Sequence, residues 1–345
     1  MTNNQKKIGI GIVIAVLCAL AFYFLYWVKS PVYSLNIIKD SIQKHDVNTF
    51  EKHVDMDTLY TKAFDDSLVA IGKINGEDLL SNPLAAGFIQ ILKPPVVSTL
   101  KSKTIDYVKG EKEEAKSNKD KNSQAEDMAN GLKDRAGIEN LNIKDISVIS
   151  KENNESIVAI TLFHRKVSKN FDLKVKMSKL DDGTWKLKEI TNLVDFLVEI
   201  DKAEKAKLVE LDKPIKGQIY KALKPANKIR GGVRNEGRYY PDWALVAGFK
   251  VNNISNKNIK NSKAYINIKR VSDKKIVKTS PLIESGSIAK GAEHEYYTHI
   301  KLNEFKDEDK EIIQAKNNEL TLSIKIMSIE FEDGTSIVRP TKLPD

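Results

Sequence analysis

Five histidines and one cysteine are the scarce chemistry-bearing residues of this 345-residue chain. The densest cluster is His294-Glu295-Tyr296-Tyr297-Thr298-His299, which has the residue types of a zinc-protease motif. That motif places its histidines four apart so that both reach one metal from a single helix face, whereas here they stand five apart. On the strand expected at this point, an odd separation sends them to opposite sides, so a structural strand is the preferred reading. His164 is the better candidate for acid or base work. It shares a strand face with Val158, Ile160 and Leu162, and with Phe163 and Trp185 it makes up the candidate pocket. A general base needs a partner, and no spacing brings Asp172 or His53 to it. An ordinary hydrogen-bonded histidine beside two core aromatics is therefore preferred. Asp307-Glu308-Asp309 lacks the glycine and spaced oxygens of a calcium loop and reads as a solvated helix face. The chain has no glycine-rich phosphate loop, nucleophile elbow or Cys/His cluster, so no catalytic, cofactor or metal site is assigned.

Charge supplies the remaining candidate. Between Lys213 and Arg238 stand Lys213, Lys216, Lys221, Lys224, Lys228, Arg230, Arg234 and Arg238 against the single acid Glu236, in a chain of formal net charge +9. Such a stripe attracts polyanions, whether lipid headgroups, anionic envelope polymers or nucleic acid. The plainer reading is a solvated connector between domains. From Lys109 to Arg135, by contrast, seven basic and seven acidic residues cancel, and almost nothing there can bury; we expect a solvated loop.

What positions these residues begins with Ile8 to Val28, an uncharged run preceded by Lys6 and Lys7. As a helix it is roughly 32 Å long, enough to cross a bilayer's hydrocarbon core. Phe22, Tyr23, Phe24, Tyr26 and Trp27 gather at its far end, where amphipathic rings settle among headgroups. The run is too long for the core of a cleaved signal peptide, and Leu17 before Cys18 argues against a lipoprotein site. The lysine count on the two sides does not decide orientation. A seven-residue tail with two lysines at the border favours a signal anchor, with the N-terminus inside and the bulk outside. Gly11, Ala15 and Ala19 recur every four residues, a spacing that permits a helix-mediated dimer, although small residues are common in spans. The only cysteine lies in this run, so no intramolecular disulfide exists.

Roughly 317 residues remain, more than one core usually serves, so two domains are expected. Ser30-Pro31 opens a helix carrying Leu35, Ile38 and Ile42. Asn48 is expected to cap a second helix, and Asp55 to Thr58 to open a third. A further helix, Leu84 to Leu92, is expected to stop at Pro94-Pro95. Strands follow at Ile143 to Ser150, Ser156 to Arg165, Phe171 to Leu180 and Thr184 to Ile190, with Asp181-Asp182-Gly183 as a hairpin turn. Ile157 to Phe163 is apolar on both faces and belongs in the middle of the sheet. Asn192 is expected to cap a helix bearing Leu193, Phe196, Leu197 and Ile200. After Tyr239-Tyr240-Pro241 come strands at Trp243 to Val251, Ala264 to Val271, Lys275 to Lys278, His294 to Leu302 and Leu320 to Phe331, the last bent near Met327. The fold class is α+β: a tail (1–7), a transmembrane helix (8–28), an α+β domain (30–208), a basic connector (209–238) and an all-β sandwich (239–345).

Ser30-Pro31-Val32-Tyr33-Ser34-Leu35, the segment Asp46 to Val54 and Gly183-Thr184-Trp185-Lys186-Leu187 resemble a bacterial membrane-anchored family known only as a domain of unknown function, over roughly residues 20 to 200. The resemblance implies a nuclear transport factor 2-like, cone-shaped domain and carries no catalytic residue. Val246 to Ser255, Ser272 to Val277 and Ile288 to Gly291 resemble the FxLYD-type immunoglobulin-like sandwich of bacterial surface proteins, with Val271-Ser272-Asp273 where that motif has its tyrosine and aspartate. Such modules bind, space or present.

These readings together describe a single-pass, non-enzymatic protein of the cell membrane whose extracytoplasmic domains bind or scaffold an envelope partner. That partner is an anionic polymer, lipid headgroups or another envelope protein. One alternative is a hydrolase or isomerase using His164. Another is a cytoplasm-facing adaptor that brings the basic stripe to inner-leaflet lipid or nucleic acid, a partner the expected topology disfavours.

Overall fold

The computed structural model describes residues 29–76, 83–111, 127, 131, 138–316 and 318–344. The run Ile8 to Val28 and most of the mixed-charge stretch 109–135 lie outside the described residues. Among the described residues no helix is long and apolar enough to cross a membrane. The fold is α+β, with helices and antiparallel sheets, and the C-terminal region is rich in strand. The chain divides into two compact units, residues 1–205 and 206–344.

In the first unit, α1 (Pro31–Gln43) starts as its sequence requires, the Tyr33 N–H donating to Ser30 Oγ at 3.1 Å. His45, at φ 58°, turns the chain sharply. Asp46 therefore caps α2 (Val47–His53), its Oδ1 accepting from Thr49 N at 3.0 Å, and the expected cap Asn48 lies inside the helix. Asp55 caps α3 (Met56–Asn75) through Thr58 N at 3.2 Å.

The helix after it corrects the sequence reading, because α4 (Pro83–Lys109) runs straight through Pro94-Pro95. The two prolines withdraw N–H donors from the carbonyls of Gln90 and Ile91. Both residues are exposed. Meanwhile Ile89, Leu92, Val96 and Leu100 keep helical spacing on both sides of the prolines and pack on Phe64 and Leu68 of α3. Packing outweighs propensity here.

Four antiparallel strands follow in the order β1-β2-β3-β4: β1 (Leu141–Glu152), β2 (Glu155–His164), β3 (Lys169–Lys179) and β4 (Trp185–Ile190). Gly183 turns the last hairpin at φ 84°, a conformation that favours glycine. Across β2 and β3, Val158 faces Val175, Ile160 faces Leu173 and Leu162 faces Phe171, giving one apolar side. Leu35 of α1 packs against one end of it, beside Val158, Met177 and Trp185. Phe196 and Ile200 of α5 (Leu193–Ala222) cover the other end, on Phe171. Asn192 does not cap α5 with its side chain. That amide is drawn to β3 instead, accepting from Lys174 N and donating to Asp172 O, each at 2.8 Å.

The second unit contains the C-terminal half of α5, so residues 209–238 are no connector. They form helix as far as Ala222 and then β5 (Leu223–Asn235). The eight basic residues hid this, because their side chains interleave with apolar ones that bury at Ile219, Ala222 and Leu223. Then come β6 (Trp243–Asn253), β7 (Ile259–Arg270), β8 (Ile276–Thr279), β9 (Ile283–Glu284), β10 (Glu293–Leu302), α6 (Asp307–Gln314), β11 (Leu320–Phe331) and β12 (Ser336–Val338). One sheet runs β10-β6-β5, the other β12-β11-β7-β8 with β9 also on β7. Phe249, Val251 and Tyr296 of the first share a core with Ile266, Ile324 and Ile326 of the second. The expected bend in β11 is present as a register shift between Ile326 and Ser328.

Ile215 and Ile219 bring α5 into that core, and Asp212 on the same helix receives Arg339. The guanidinium is 7% exposed, donates from Nε to Asp212 Oδ1 at 2.6 Å and makes a second bond from Nη2 to Oδ2. Arg339 holds the Asp212 carboxyl below its ordinary range. The ion pair therefore contributes stability that is complete near neutrality and lost as pH falls through that lowered value. Asp212→Ala leaves a buried cation unpaired and is expected to cost the second unit about 3–5 kcal/mol, read from the urea transition reported by Trp243.

Candidate functional site

The histidines of the zinc-like cluster sit on β10 as their odd spacing predicts. His294 points inward, edge-on to Tyr296 at 5.2 Å, and burial pushes its pKa down. His299 points outward, with Nε2 2.9 Å from Glu236 Oε2. Among the described residues no three His, Cys, Asp or Glu side chains are grouped to hold a metal.

His164 ends β2 and is fully buried. Its Nδ1 accepts from Val167 N at 3.4 Å, which leaves the proton on Nε2. Glu204 Oε1 of α5 lies 3.2 Å from that nitrogen but off its N–H axis, so the contact is electrostatic and not an aligned hydrogen bond. Phe171 packs edge-on against the ring at 6.2 Å. The imidazole thus belongs to the seam between β2 and α5.

The pocket expected from Phe163, His164 and Trp185 does not assemble. Phe163 precedes His164 on the strand and so faces the opposite side of the sheet, under the Lys144 ammonium at 5.2 Å. Trp185 pairs with Lys179 and His164 with Lys169, ten residues apart along β3. That separation is roughly 33 Å. Trp185 is itself fully buried, its Nε1 donating to Lys29 O at 2.9 Å. Neither expected partner reaches His164: Asp172 accepts from Thr161 Oγ1 at 2.7 Å, and His53 donates from Nδ1 to Thr49 O at 2.8 Å. The acidic run on α6 also departs from a solvated face. Asp309 is 2% exposed, paired with Lys278 and accepting from Asn303 N at 2.9 Å.

The basic stripe behaves differently. Lys213, Lys216 and Lys221 project from the outer half of α5, opposite Ile215 and Ile219, and Lys224 and Arg234 are exposed on β5. Arg238 stacks on Tyr239 at 5.8 Å, and Tyr239 and Tyr240 are both more than four-fifths exposed. Among the described residues none of these six cations has a carboxylate within ion-pair distance, while Glu236 is taken by His299. The side chains of Lys228 and Arg230 lie outside the described residues. Part of this charge has a structural use, since β5 is an edge strand and cations on an edge discourage pairing with a second copy.

Beside β5 lies a feature that reading the segment as a connector concealed. A groove of about 410 Å³ is lined by Gly231, Gly232 and Val233 of β5, by Leu320 to Leu322 of β11, by Trp243, Leu245 and Ile268, by the end of α6 at Ile312 and Ile313, and by Ala315 and Lys316 just after it. The alternation of Ile229, Gly231 and Val233 with Arg230, Gly232 and Arg234 is the period-two signal that marks this strand in the sequence.

The chain thus combines a helix-and-sheet α+β unit with a β-rich unit of two sheets, and the open features of the second unit include a basic face and a groove of mixed polar and apolar lining. Residues 20–106 match a family described as "Protein of unknown function (DUF2939)", a span that includes α1 to α3 and most of α4. No curated protein matches the chain, and no solved structure matches it.

Histidine acylation by diethyl pyrocarbonate, mapped by mass spectrometry, checks this geometry. His299 is expected to react in the native protein, and His164 and His53 only after unfolding.

Proposed function

We propose that this is a membrane-anchored, non-catalytic protein of the cell envelope whose extracytoplasmic units bind an anionic partner. The observation that carries the reading is the set of six exposed cations from Lys213 to Arg238 that lack carboxylate partners among the described residues. An unneutralised field of this kind draws anions and is screened by salt. The uncharged run Ile8 to Val28 supports tethering, and its short lysine-bearing tail supports an outside location for the rest. The burial of Trp185 in its packing cluster and of His164 against Phe171, at registers ten residues apart along β3, favours binding over chemistry in the first unit. We further read the first unit as nuclear transport factor 2-like, supported by helices leading into a four-stranded antiparallel sheet. The second we read as an FxLYD-type immunoglobulin-like sandwich, supported by its two antiparallel sheets around one core.

Two experiments test this reading. Protease added to intact cells or spheroplasts is expected to remove a C-terminal tag from the full-length protein while a cytoplasmic control survives. Protection until the membrane is broken would overturn the envelope location and favour the cytoplasm-facing adaptor. The Lys213→Glu/Lys216→Glu/Lys221→Glu triple variant is expected to bind phosphatidylglycerol vesicles roughly a hundredfold more weakly at low salt. The difference should shrink in 1 M salt. Equal vesicle binding by the variant and the unaltered chain would remove the basic face from the mechanism.

A further inference from the structure

The regular part of β5 runs from Ile229 to Asn235, paired on one side with Phe249 to Trp243 of β6. Among the described residues no strand pairs with its other side, which is the edge of the β10-β6-β5 sheet. Two consecutive glycines sit in the middle of this edge, and they differ. Gly231 is demanded by packing, because a Cβ there would stand 2.7 Å from Val246 O. Gly232 is not, since a Cβ there would meet nothing within 4 Å and its φ is ordinary for a strand. A strand glycine that packing does not need leaves room for a ligand or another backbone to approach closely.

Behind these glycines the groove reaches the apolar side chains of Val233, Leu245, Ile268 and Leu322. The same seam between the two sheets is filled farther along by Ile215 and Ile219 of α5, which the groove shows to be an incomplete filling. Lys316 lines the groove and Arg234 is exposed on β5 beside it, both without carboxylate partners among the described residues; the Glu319 carboxylate accepts from the Lys316 backbone N–H at 2.9 Å. An occupant must therefore offer three things: unpaired backbone donors and acceptors, an apolar side chain and negative charge. A lipid headgroup or anionic polymer offers only the last.

We propose that an acidic, extended protein segment adds to the free edge of β5 along Ile229–Asn235 and seats an apolar side chain in the groove behind Gly231-Gly232. This rests on the anionic partner proposed above and names its form. Main-chain pairing supplies affinity, and alternate side chains supply specificity. The cations of β5 repel a second copy's β5 and admit an acidic strand, so they select the partner as well as attract it.

The test uses the full chain in neutral detergent and a blocked, labelled seven-residue peptide alternating glutamate with leucine or valine, followed by fluorescence anisotropy. It is expected to bind and to shift tryptophan emission in a way that Trp243→Phe abolishes. Replacing its glutamates by lysine, replacing its apolar residues by serine, or N-methylating alternate amides along the pairing edge should each weaken binding about tenfold or more. Arg234→Glu/Lys316→Glu, both at exposed positions, should do the same with the circular dichroism spectrum unchanged. Equal binding of the serine or N-methylated peptide would reduce the interaction to plain charge attraction and overturn the proposal. Vesicle binding without peptide binding would also overturn it while leaving the general anionic reading intact. Peptide binding without vesicle binding would support it.

Discussion

Strands with an apolar face leave that side to be covered, and in both units α5 supplies cover. Phe196 and Ile200 bury on Phe171 of the first unit's sheet, while Ile215, Ile219 and Ala222 enter the core shared by the two sheets of the second. Each such side chain contributes about 1.5–3 kcal/mol when fully buried. The polar contacts of α5 depend on the placement this burial imposes. Glu204 comes to His164 and Asp212 to Arg339 because the apolar stripe has already set the helix down on those surfaces.

The same logic explains why residues suited to chemistry are mostly spent on structure. His164, Trp185, Asp309 and Arg339 are buried, and each has a polar contact inside its own unit. A buried polar group without such a contact costs free energy, although the Nε2 atoms of His53 and His164 are buried without an aligned hydrogen bond. The outer side of the C-terminal half of α5 and the edge at β5 stay exposed. There the cations are exposed and lack carboxylate partners among the described residues.

The β5 edge joins two needs that usually conflict. A free edge invites association with any strand, and the common protections are charge, bulges and proline. This strand has all three, with Lys224 and Arg234, a register irregularity between Pro225 and Ile229, and Pro225 itself. The protection is one-signed. It excludes like-charged edges by repulsion and leaves an oppositely charged one free to approach, so the same residues serve solubility and selection.

Local signals were legible where a single interaction decides the outcome. Ser30-Pro31 and Asp55 set helix starts through side-chain caps a few residues away, and period-two alternation placed β2 to β4, β6 and β11, with the bend near Met327. The five-residue spacing of His294 and His299 placed them on opposite faces of the strand expected there, because strand geometry fixes the face of each residue. Other outcomes depend on partners distant in sequence. Pro94-Pro95 did not stop α4, since Phe64 and Leu68 lie across from it. The basic segment became helix and edge strand because its interleaved Ile219 and Leu223 found a core elsewhere in the chain. Phe163, His164 and Trp185 were near neighbours only in type. Register along β3 separates the last two, and strand alternation turns the first away. Composition and spacing alone determined the charge, the anchor-like run and the strand faces, because each is fixed by the residues themselves. Tertiary structure decided which charges were neutralised and where a groove stayed open, because both depend on which distant surfaces meet.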